Sequence, residues 1–150
     1  MDLTTIKSGE EIVIGALVGH RFWRYQLYPL RLLSWCLNDR DWLPGEPFEA
    51  DKLPELDNTH GVHAYKTAQG LADYLGRASE LTNEFGLELR VMDGIVIGTV
   101  ALWGAVAIFE RAYRAQYARP LSFTQAYGRC SNDTLIMLRS RFLRPAEQPR

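Results

Sequence analysis

Cysteine is almost missing from this chain. Cys36 and Cys130 are the only two, far apart and without CxxC spacing. That excludes a disulfide framework and fits a reducing, cytoplasmic setting. No basic stretch leads into an apolar one at the N-terminus, MDLTTIKSGEE, so no signal peptide is expected. Long hydrophobic runs are also lacking. The best candidate, Gly94–Phe109, is uncharged and mostly apolar over 16 residues, short of the roughly 20 that a spanning helix needs. Its β-branched residues favour a pleated surface, so no membrane contact is expected. Serine hydrolase, P-loop and dinucleotide signatures are absent: Gly98–Gly104 (GTVALWG) does not fit GxGxxG and is too bulky to cradle phosphates.

What remains is ordinary in amount and uneven in placement. The 150 residues are 47% hydrophobic and 23% charged, enough for a single domain over 1–150 with its own core. Residues 111–150 carry eight arginines, no lysine and two acids, a net of +6, whereas residues 1–110 carry a net of −7. This asymmetry marks either a basic face for an anionic partner or two halves that pair with each other.

Along the chain, residues 1–11 read as a loose lead-in. Phe22, Arg24 and Gln26 alternate with Trp23, Tyr25 and Leu27, the period of a strand, which Pro29 stops. Leu30–Leu37 fits a strand or a helical turn equally. Asn38–Asn58 holds three prolines and seven acids and reads as a long acidic loop, functional or mobile, pinned to the core by Trp42. HGVHAY (60–65) enters a short strand or turn. Thr67 is placed to cap a helix in which Leu71, Leu75, Ala78, Leu81 and Phe85 share a face, with Gly86 as its C-cap. Leu87–Met92 alternates as a strand, and Asp93-Gly94 suits a hairpin turn. Ile95–Phe109 reads as one long bent strand or two strands, bent at Gly98 and Gly104. Tyr113–Ala118 is a strand that Pro120 ends, and Ser122 or Thr124 caps a short helix. Asn132–Leu143 is a second helix with Leu135, Leu138 and Phe142 inward, and residues 144–150 form a frayed tail. The order predicts an α+β domain: a curled antiparallel β-sheet covered by one long and one C-terminal helix.

Three constellations carry possible chemistry. His60 and His63 are the close histidine pair, with Glu55 and Asp57 nearby, but the four-ligand Cys/His set of a structural zinc site is missing, so no metal and no cofactor are expected. Cys36 lies in apolar LLSWCL and reads as an inert thiol; Cys130, beside Arg129, lacks a visible base. The richest is the edge at Arg111, Arg114 and Arg119, interleaved with Tyr113 and Tyr117: guanidinium groups grip phosphate or carboxylate, and tyrosines offer stacking faces. On a strand Arg111 and Arg119 share the face of Tyr113 and Tyr117, while Arg114 takes the other. The alternative is that these arginines pair with the acidic loop.

Four segments, WLPG (42–45), HGVHAYK (60–66), GTVALWGAV (98–106) and AYRAQYARP (112–120), resemble a bacterial protein family marked by WxPG, HGxxAxK, GxVxLWGxV and YRAxYAxP motifs. The resemblance covers most of Arg21–Leu121. No activity is established for that family, so it implies no reaction. It implies that His60, Gly61, Trp103, Arg114 and Tyr117 belong to one local arrangement. Similar sequences carry cysteines just ahead of the Gly-x-x-Ala-x-Lys segment; Leu53–Thr59 has none, which weakens any shared metal or thiol role.

The leading expectation is a non-catalytic binding module that meets a protein or an anionic small molecule through Arg111, Arg114, Tyr117 and Arg119, with His60, His63 and Trp103 nearby. One alternative is a small hydrolase with His63 as general base, oriented by an acid of the 39–57 loop. Another is nonspecific nucleic-acid binding through arginine and aromatic side chains.

Overall fold

The computed structural model describes residues 3–6, 12–14, 17–34, 40–56, 60–85 and 93–143, the backbone alone at 3–6, 12–14 and 77–85. Two long strands dominate it: β8 (Gly94–Ile108) and β9 (Ala112–Gly128). They form one antiparallel hairpin from Ile108↔Tyr113 down to Gly94↔Gly128. Its ladder slips between Ile97 and Gly98, between Thr99 and Val100, and between Trp103 and Val106. Each slip is a bulge that bends the ribbon and increases its twist. Gly98 marks a close approach: a Cβ there would fall 1.8 Å from the Ser122 carbonyl oxygen.

The bends let the hairpin curl back onto its neighbours. β3 (Leu17–Gln26) pairs antiparallel with β8 from Leu17↔Leu102 to Tyr25↔Gly94. β7 (Val62–Tyr65) pairs with β9 from Val62↔Ala115 to Tyr65↔Ala112. β3 and β7 then meet at one pair, His20↔Tyr65, so the path β8–β9–β7–β3 returns to β8. The sheet continues through β4 (Arg31–Leu33) and β5 (Asp41–Trp42) beside β3, while β6 (Phe48–Glu49) pairs with β9. On the other side β1 (Leu3–Ile6) lies parallel to β8 and antiparallel to β2 (Ile12–Ile14). The architecture is therefore α+β, a curled and mainly antiparallel sheet with two helices.

The core fills the curl. Trp23 is fully buried, edge-on to Trp42 at 5.5 Å and tilted against Phe123 at 5.3 Å. Leu32, Val96, Val100, Leu102, Val106, Ala115 and Ala118 complete it. α2 (Ser131–Phe142) closes one side, with Leu138 buried and Phe142 meeting Phe123 edge-on. α1 (Ala68–Phe85) starts where the Thr67 hydroxyl accepts the Gly70 N–H at 3.0 Å, the cap expected from the sequence. Leu71 is its buried anchor.

Four expectations are corrected. Leu3–Ile6 is a strand rather than a loose lead-in, because a neighbouring strand supplies its partners. Pro120 does not end a strand, nor do Ser122 and Thr124 cap a helix: β9 runs through all three. Pro120 sits at the Thr99/Val100 slip, where an irregular ladder tolerates a missing N–H. The 38–58 segment is not wholly a loop, since it holds β5 and β6. Gly94 pairs with Tyr25 and Gly128, and the strand that the expected Asp93-Gly94 turn would join lies outside the described residues. The Asp93 carboxylate accepts the Leu27 N–H at 2.6 Å and pairs with Arg129 at 3.3 Å. The proposed strand Leu87–Met92, Gly86, Cys36 and the 144–150 tail lie outside the described residues. No helix among the described residues is long and apolar enough to cross a membrane.

Candidate functional site

The site forms where β3 and β7 part. After the His20↔Tyr65 pair no further ladder partners join them, and their backbone groups need other partners. Arg21 supplies one. Its side chain is buried and its Nη1 donates to the His63 carbonyl oxygen, bridging the opening. Its Nη2 donates to Ser34 Oγ at 3.0 Å, which also accepts the Trp42 indole N–H at 2.9 Å. The guanidinium lies over the Trp42 ring, 5.1 Å from its centroid, a favourable cation–π arrangement. Arg24 Nε donates to the Ser34 carbonyl oxygen at 2.7 Å, fixing the same residue from its backbone.

Arg114 secures the far side. It is buried on β9 opposite His63, with its guanidinium 4.4 Å from the Phe109 ring centroid. Its Nη1 donates to the His60 carbonyl oxygen and its Nη2 to that of Glu55, both at 3.4 Å. Arg114 thus ties the acidic segment to the sheet through the main-chain carbonyl oxygens of His60 and Glu55. Desolvation draws its pKa below the ordinary value, yet a guanidinium stays charged at physiological pH. Gly61 makes the approach possible. Its φ is +104°, and a Cβ would fall 2.9 Å from Pro54 Cβ and 3.2 Å from the Ala115 backbone.

Between these supports opens a pocket of about 540 Å³. His20, Arg21, Arg40, Lys52, His60 and His63 supply its basic groups, and Asp51 is the acid among its described lining residues. Phe22, Phe48, Tyr65 and Tyr74 supply aromatic wall. Arg40 lies 4.3 Å over Phe48 and pairs with Asp51 at 2.6 Å. Phe48 stacks on Trp42 at 4.6 Å, joining the pocket wall to the core. Phe22 and Tyr65 both contact Tyr74, which seats α1 over the opening.

His63 keeps an exposed side, yet its ring stands in the pocket wall. Its pKa is pushed down to about 4, first by desolvation there and then by the positive fields of Arg21 and Arg114. At neutral pH it is an uncharged imidazole, able to donate one hydrogen bond and accept another. The charges that set it are guanidinium groups, opposite in sign to the carboxylate that would orient a catalytic base. Among the described residues no three His, Cys, Asp or Glu side chains gather as a metal site.

The residues singled out from the sequence fall into two stations along β9. His60, Gly61, His63 and Arg114 come together at the pocket and its rear support. Trp103 stacks on Tyr117 at 5.8 Å, and Arg119 pairs with Ala101 further along. Arg111 is exposed ahead of β9, where its carbonyl oxygen accepts the Lys66 N–H. Arg114, on the face opposite Tyr113 and Tyr117 by strand alternation, is buried, whereas Arg111 is exposed. Arg21, Arg40, Lys52 and Phe48 were missed. The available signal was Arg21 set among the aromatics of HRFWRY; Arg40 and Lys52 were overshadowed by the acids around them.

No protein-family model, curated protein or solved structure matches this chain.

Proposed function

We propose that this chain is a non-catalytic binding module for a small organic anion, held in the pocket between β3, β7, α1 and the 40–52 segment. One observation carries the reading: Arg21, Arg40 and Lys52 converge with aromatic side chains around a cavity of about 540 Å³. That combination suits a phosphate or carboxylate on an apolar or aromatic body, the cations gripping the head and the rings covering the rest. His63, neutral at working pH, adds a directional hydrogen bond without a further charge.

The hydrolase alternative is supported less. A base with a pKa of about 4 is weakly driven to take a proton at neutral pH. The nucleic-acid alternative is also supported less, since Arg114 is buried and donates to the carbonyl oxygens of His60 and Glu55.

The test is calorimetric titration of the full chain with phosphate monoesters and carboxylates, each with and without an aromatic ring. Binding is expected for ring-bearing anions and is expected to weaken at least tenfold in Arg40→Ala/Lys52→Ala. Anion binding that this double variant leaves unchanged, or binding of neutral analogues with equal strength, defeats the proposal.

A further inference from the structure

Next to the cationic pocket lies a second cavity of about 590 Å³, between α1 and the outer face of β3, β8 and β9. Its character is opposite. Ala72, Leu75, Ile95, Ile97 and Tyr127 are among its walls, and no Asp, Glu, Lys or Arg is found there among the described residues. The space has a sequence cause. Ala68, Ala72 and Gly76 recur every fourth residue, so this stripe of α1 carries nothing larger than a methyl group. A Cβ built on Gly76 meets no atom within 4 Å. His20 and Leu71 belong to the walls of both cavities, so a positively charged compartment and an uncharged one adjoin.

We infer that the two cavities form one bipartite site for a single-chain amphiphile, its anionic head among Arg21, Arg40 and Lys52 and its hydrocarbon tail under α1. This rests on the cationic pocket being an anion site, the reading proposed above. Charge complementarity selects the occupant. The positive lining of the first cavity favours an anionic head over a neutral one, and a short anion leaves the apolar cavity in contact with water. The shared alkyl-phosphate chemistry exists both in free amphiphiles and in bilayer lipids, and the site is assigned to the free molecule, because the tail compartment lies between a helix and the sheet that backs it.

The experiment titrates n-alkyl phosphates of four, six, eight and ten carbons, each below its micelle concentration, into the full chain. Affinity is expected to rise about fourfold per added methylene. Gly76→Phe, which fills the tail compartment, is expected to abolish that rise and leave butyl phosphate binding unchanged; Ala72→Phe is the second blocking variant. Arg40→Ala is expected to weaken the whole series by one common factor. Butyl phosphate binding with no chain-length dependence overturns the bipartite site and leaves the anion pocket standing. No binding at any length overturns the bipartite site, and the anion pocket falls with it only if the ring-bearing phosphate monoesters also fail to bind. Pelleting with phosphatidylglycerol vesicles, without binding of the free series, overturns the assignment in favour of a membrane surface.

Discussion

Among the strands beside it, β3 has two neighbours of opposite kind. Against β8 it forms a ladder of nine register pairs, from Leu17↔Leu102 to Tyr25↔Gly94; against β7 it has one, His20↔Tyr65. Where the ladder is complete, backbone groups satisfy one another and the side chains are free to be apolar, as Trp23, Val96 and Val100 are. Where it is incomplete, the backbone must be satisfied from side chains, and the chain uses guanidinium groups on carbonyl oxygens: Arg21 on His63, Arg114 on His60 and Glu55. A gap in a ladder therefore becomes a pocket with a positive lining. Arg21, which repairs the opening, also lines the cavity beside Arg40 and Lys52, where a bound anion would meet it.

The sharpest way to break the closed side is Trp23→Ala. The indole is fully buried between Trp42 and Phe123. Its removal is expected to cost about 3–5 kcal/mol, read as a lower midpoint in urea unfolding. A loss under about 1 kcal/mol would mean that the core does not depend on this stack. Gly98→Ala follows, at about 2 kcal/mol, since the new methyl collides with the Ser122 carbonyl across the bulge. Unchanged stability there would show that the ribbon does not close this tightly.

On the open side Arg114→Met is expected to cost about 1–3 kcal/mol, since the buried guanidinium loses its bonds to the His60 and Glu55 carbonyl oxygens. Arg111→Ala, at an exposed position, is expected to change stability by less than about 0.5 kcal/mol. Equal effects of the two would deny the inward role of Arg114.

His63 gives the smaller, pH-dependent contrast. Its folded pKa of about 4 lies below the ordinary 6.5, so the unfolded chain binds the proton more readily. The associated stability is complete above about pH 6.5 and is lost as pH falls toward 4. Because the residue keeps an exposed side, the difference at pH 5 is expected to stay under about 1 kcal/mol. Comparing thermal midpoints of the parent and His63→Gln from pH 7 to 4.5 tests this. A parallel fall in both proteins places the acid sensitivity elsewhere.

The two sides also differ in how far they could be read from the residues. The closed side is written locally. Successive β-branched residues from Ile95, with glycines between them, mark a long bent strand, and Thr67 announces α1. Leu135, Leu138 and Phe142 set the inner face of α2, and Trp42 serves as the predicted anchor. The open side is written in relations between distant segments. Arg21 acts across 42 residues on His63, and Arg114 across 54 on His60. Neither distance shows in any window of periodicity. Alternation along a strand places Arg114 on the face opposite Tyr113 and Tyr117, but it does not show what meets that face, where Pro54, Glu55, His60 and Gly61 approach β9. Pro120 misled for a related reason: a proline stops a regular strand, and here it occupies a slip that only the pairing with β8 defines.

Asp51→Asn sharpens the comparison with the least disturbance. Asp51 and Arg40 form an exposed pair at 2.6 Å, and such pairs contribute roughly 0–1 kcal/mol. The substitution keeps the shape of the side chain and removes the acid among the pocket's described lining residues. Stability is expected to move by less than about 0.5 kcal/mol, while affinity for a phosphate monoester rises severalfold, because the anion no longer competes with a carboxylate for the Arg40 guanidinium. The gain should shrink as salt is raised, since the partners lie at an exposed rim. A variant that loses stability without gaining affinity would make the Arg40–Asp51 pair a fastening of the 40–52 segment, and the positive charge of the opening would then serve the fold alone.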